Sequence, residues 1–187
     1  MGTTFQSSTR TRVQINHATL DRGICWGLIG GLASTMVMDL VLMGVLLAAG
    51  LPAFTCFSIV GDTVARFFSI LGIQIAGSVP IGMSAHYLIG PAVGVIFGVV
   101  VTQIKVLRVK SLKKGIVLAV LYVEILSQPI LATTPILLKM TSPQTLQWFS
   151  ISFVMHFILA VVLGIVVNFG LLGHREGLGS QTNRFIF

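Results

Sequence analysis

Four long apolar runs, at about 23–49, 81–104, 114–138 and 145–172, dominate the chain, with polar positions collected between and outside them. Hydrocarbon about 30 Å thick is crossed by roughly 20 helical residues, so each run predicts one membrane span. The expected fold is all-α, a polytopic membrane protein whose four transmembrane helices form two tandem helical hairpins. A membrane domain at 23–172 is flanked by polar tails at 1–22 and 173–187, which read as mobile.

Between the first two runs, 51–80 is apolar but too interrupted to span. Its stretch FSIVGDTVARFFSILGI reads as an outer amphipathic segment, interfacial or re-entrant, lying across the outer face as a lid or a gate. Asp62 and Arg66, four apart on one helical face, are expected to pair there.

Within the spans the pattern is finer. Gly23, Gly27, Gly31, Thr35 and Asp39 recur every four residues in the first, and His86, Gly90, Gly94, Gly98 and Thr102 do so in the second. Small residues at this spacing let helices in lipid approach closely, so the two stripes are expected to face each other as a helix-packing seam. The spans are antiparallel, and Asp39 lies as far beyond Gly23 as His86 lies before Thr102. That distance is about 24 Å on both helices, which predicts an Asp39–His86 contact.

The second half echoes the first. Gly115 precedes Glu124 by the interval that separates Gly30 from Asp39, and His156 precedes Gly164 as His86 precedes Gly94. An internal repeat is inferred, with Glu124 expected beside His156 and Gly164 keeping one position of the seam. Internal symmetry of this kind commonly marks a duplicated membrane protein with a site at the repeat interface.

Composition changes the picture little. An apolar fraction of 55% with 9% charged residues leaves no room for a soluble catalytic domain. Charge adds orientation. Arg10, Arg12 and Arg22, the cluster Lys105, Arg108, Lys110, Lys113 and Lys114, and Arg175 and Arg184 fall on one side; Arg66 and Lys139 fall on the other. The positive-inside rule then puts both termini in the cytoplasm of a multi-pass protein of the cell (inner, cytoplasmic) membrane. The formal charge of +7 is explained by these anchors beside anionic headgroups, so nucleic acid is not an expected partner. Cys25 and Cys56 stand at opposite ends of the first span, too far apart for a disulfide.

The candidate chemistry is Asp39, His86, Glu124 and His156, as polar pairs or a proton relay. An ionised Asp at a helix centre costs roughly 2.5–3.5 kcal/mol on insertion scales, which an imidazole partner reduces while creating a titratable unit. The same pairs would also serve as simple interhelical glue. Pro129 frees the carbonyl of Ile125 beside Glu124. No hydrolase, zinc-protease or phosphate-loop motif is present.

Three functions stay open. The leading one is an accessory or assembly subunit docking on other membrane subunits, or self-associating, in the bilayer. The second is a small transporter or proton-coupled channel using the Asp39/His86 and Glu124/His156 pairs. The third is a redox protein holding haem or metal through His86 and His156, although no cofactor is required by the sequence. GLIGGLASTMVMD followed by HYLIGPAVGVIFG, within residues 24–101, resembles small multi-span membrane proteins of the YagU-like type. That group has no settled activity, so the resemblance implies a Gly-rich first hairpin and transfers no catalytic residue.

Overall fold

The computed structural model describes residues 17–182, and within them the chain is helical with no strand. Five helices follow in order: α1 (His17–Ala48), α2 (Thr55–Ile70), α3 (Val79–Gln103), α4 (Leu112–Leu138) and α5 (Ser142–Thr182). All but α2 are long and apolar enough to cross a bilayer, which makes this a multi-pass membrane protein. Leu40, Leu88, Ile125 and Ile136 point outward from the spans, as side chains facing lipid do.

The two hairpins are α1 with α3 and α4 with α5; α1 also packs on α5, and α2 bridges α3 and α4 on the remaining side. Direct contact between α3 and α4 is slight. Five helices thus surround a common space rather than filling it.

Local sequence fixes the helix ends. Gly50 and Gly72 take the left-handed conformation just past α1 and α2, at φ 72° and 81°. The next amide then reaches back five residues, Leu51 to Leu46 at 2.9 Å and Ile73 to Phe68 at 3.0 Å, closing orphan carbonyls. Lys139 ends α4 the same way at φ 52°, without glycine's freedom. Ser111 starts α4 by accepting from the Lys114 amide at 3.3 Å. The Lys114 ammonium, in turn, donates to the Val106 and Arg108 carbonyls at 2.9 and 3.1 Å and ties down the loop before it.

The tails depart from expectation. Residues 17–22 belong to α1, and α5 continues through Thr182, so helix replaces the loose chain expected in those parts of 1–22 and 173–187. A span that is already nucleated extends cheaply into a polar flank, because each added residue gains a hydrogen bond. The remainder of both tails lies outside the described residues.

The two small-residue stripes meet. A methyl added at Gly23 would sit 2.6 Å from the Gly98 carbonyl oxygen, and one at Gly31 would sit 2.6 Å from that of Gly90; Gly27 and Gly94 abut likewise. Gly164 meets the α4 backbone at Ile116, 2.8 Å from an added methyl. The main core lies between the hairpins, where Ala119, Ala160, Leu163 and Val167 are fully buried and Gly30 seats against Leu163 and Val167.

Candidate functional site

Close helix approach delivers Asp39 of α1 to His86 of α3. His86 Nδ1 lies 3.0 Å from Asp39 Oδ1, with Asp39 only 3% exposed. An ionised carboxylate only accepts, so the Nδ1 proton belongs to the imidazole and the Nε2 lone pair is left free in the neutral ring. Phe57 of α2 packs edge-on against the ring at 5.2 Å. The second carboxylate oxygen, Oδ2, is buried as well, and the Tyr87 hydroxyl stands within reach of the carboxylate.

His86 opens onto a cavity of about 790 Å³ walled by all five helices. Met38, Leu42, Val60, Val93, Leu131 and Met155 represent its apolar lining. Polar groups are sparse, and most of their protons are already committed. The Thr35 hydroxyl donates to the Gly31 carbonyl at 2.8 Å, that of Ser127 to Glu124 at 3.3 Å, and the Trp148 indole to Leu131 at 3.1 Å. Thr63 of α2 and Thr134 of α4 join hydroxyls at 3.2 Å and hold the roof to the wall.

The Leu131 bond has a local cause. Pro135 lacks an amide hydrogen, so the carbonyl four residues earlier is freed, and Trp148 supplies the missing donor across the α4–α5 hairpin.

His156 also lines the cavity, from α5, within electrostatic reach of His86. It does not meet Glu124. Its Nδ1 donates to the Ser152 carbonyl one turn back at 2.7 Å, while Glu124 Oε2 accepts from Gln128 at 3.4 Å and Oε1 is buried unpartnered. The expected second acid–histidine pair is therefore absent. The reason is rotational: the cavity face of α4 is centred near Val123, Ile130 and Thr134, and Glu124 lies about 100° around the helix from Val123. Asp62 and Arg66 form no ion pair either, because Asp62 packs against the backbone at Gly77 where α3 is approached.

No known protein family, no curated protein and no solved structure matches this chain.

Two imidazoles with Nδ1 anchored and Nε2 without a partner have the arrangement that metal-ligating histidines adopt. Among the described residues, however, no three of His, Cys, Asp and Glu converge to hold an ion. Cys56 of α2 also lines the cavity; burial, with the nearby Asp39 carboxylate second, pushes its thiol up to about 12, so it stays neutral. What the site can do chemically is hold an apolar molecule and bind or release one proton at His86.

Sequence reasoning missed Cys56, Thr63 and Trp148 as parts of the site. Only the Trp148–Leu131 bond had a signal, the proline that exposes a carbonyl. Asn168, fully buried with Nδ2 on the Gly164 carbonyl, was missed as well.

Proposed function

We propose that the protein is a small proton-linked membrane carrier, which takes an apolar molecule into the cavity beneath α2 and protonates or deprotonates at the Asp39–His86 pair. One observation supports it above all: a cavity of about 790 Å³, the size of a ligand site, has in its wall His86, which is bonded to the buried Asp39 behind it. An intramembrane ionisable pair facing a cavity is the usual arrangement of a transport pathway. The accessory-subunit reading rests on small size and missing motifs, and makes no use of that cavity. In this reading the basic loop 104–111 and both termini face the cytoplasm, and α2 covers the outer end.

Purified protein in vesicles with a trapped pH dye provides the test. An imposed pH step should relax faster than in protein-free vesicles, and Asp39→Asn should return the rate to that background. Equal rates in all three preparations would remove the carrier reading.

A further inference from the structure

The proton-linked reading leaves the cargo unspecified, but the cavity wall has a chemical bias. No Lys or Arg lines it. The carboxylate behind His86 is buried and has no other ion-pair partner among the described residues. With His86 neutral, the pair therefore carries one uncompensated negative charge beside an apolar space, where low dielectric strengthens its field.

Hydrogen-bonding capacity points the same way. The protons of Thr35, Ser127, Trp148 and both histidine Nδ1 atoms are spent on carbonyls or on Asp39. The lone pairs at the Nε2 atoms of His86 and His156 remain open, beside the uncommitted side-chain amides of Gln144 and Gln147 elsewhere in the lining. On the His86 side, a molecule that offers protons or positive charge is complementary to the wall, whereas an anion finds no cation there.

We infer that the cavity binds a lipophilic amine, a drug-sized apolar cation whose ammonium takes the place of the proton on His86 beside Asp39. This inference rests on the carrier reading for transport, though not for binding. Charge balances in either state. Protonated His86 and ionised Asp39 sum to zero, as do neutral His86, ionised Asp39 and one bound ammonium. Proton and cation consequently compete for one position, and a carrier built this way exchanges one for the other.

Competition makes the pH response specific. The titratable groups that face His86 are Asp39 on α1, Cys56 on α2, Tyr87 on its own helix and His156 on α5; α4 presents only Ser127 and the threonines. The thiol stays neutral, so a proton gained by His86 on acidification is the event that expels the cation.

The experiment uses the full-length protein in nanodiscs of neutral lipid, in a Trp26→Phe background so that Trp148 reports occupancy. The probes are a biphenylmethyl-trimethylammonium, whose charge does not depend on pH, and its neutral carbon isostere. The cation is expected to bind at least about tenfold tighter than the isostere at pH 8, consistent with one specific charge contact. Its affinity is expected to fall by about tenfold or more between pH 8 and pH 5, with both effects lost in Asp39→Asn and the pH effect lost in His86→Gln. Asp62→Asn, which removes a carboxylate outside the cavity, should retain both. Equal binding of the two probes to the unaltered protein, or a pH-independent cation affinity, overturns the inference without relying on any substitution at the pair. Proton flux without cation preference would keep the carrier and discard the amine; cation binding without flux would do the reverse.

Discussion

At the scale of single residues, this chain separates what a polar group is from what it does. Asp39 and Glu124 are both lone acids in apolar helices, yet one is tied to an imidazole at 3.0 Å and the other turns to a glutamine on its own helix. Helix rotation decides between them. The raised thiol of Cys56 gives a direct check of how closed the site is. Thiolate is the reactive form, so at pH 8 a Cys25→Ser protein should react with maleimide about 1000-fold more slowly than a free cysteine peptide. A comparable rate would mean that Cys56 is open to water. The Asp39–His86 contact was legible because glycines four apart fix both the helix face and the crossing register; the fate of Glu124 was not, because spacing along a helix does not determine how that helix is turned in the bundle.

At the scale of elements, proline and tryptophan form a matched device. Pro135 takes one hydrogen bond out of α4, and Trp148 of α5 repairs it at 3.1 Å, so a helix defect becomes a hairpin fastener. Trp148→Phe should cost about 1 kcal/mol, in the range of interhelical bonds within membranes. In a Pro135→Ala background the new amide satisfies Leu131 from within α4, and the penalty should shrink. A double-mutant cycle by unfolding in mixed micelles reads this as a coupling of about 0.5–1 kcal/mol; additive penalties would show that the indole contributes by packing alone. The helices themselves were plain from hydropathy. The continuation of α5 to Thr182 was hidden by a polar flank whose composition resembles a tail.

At the scale of the whole molecule, the arrangement trades packing for space. The hairpins close against each other through Ala119, Ala160, Leu163 and Val167 at one level, and part around the cavity at another. Filling that space should stabilise the protein and disable it together. Ser152→Leu, on the α5 wall, adds apolar volume while keeping the carbonyl that holds His156. It is expected to raise stability by about 0.5–2 kcal/mol, as cavity-filling changes commonly do, and to abolish ligand-dependent change in Trp148 emission. A loss of stability would indicate that the cavity is filled by well-ordered chain or lipid in the membrane. The pairing within each hairpin was legible, from the facing stripes of the first two spans and the short connection of the last two; how α1 meets α5 and α2 bridges α3 and α4 around a cavity was not, since periodicity does not set how hairpins dock.

The glycine seam also bears on how such a protein diversifies. Along α1 and α3 the backbones touch so closely that an added methyl at Gly23 or Gly31 would meet a carbonyl oxygen at 2.6 Å. Those seam positions have almost no neutral substitutions open to them. Changes in ligand preference among descendants of this sequence should therefore accumulate on α2, α4 and α5, leaving the stretch from Gly23 to Asp39 as the part by which distant cousins remain recognisable.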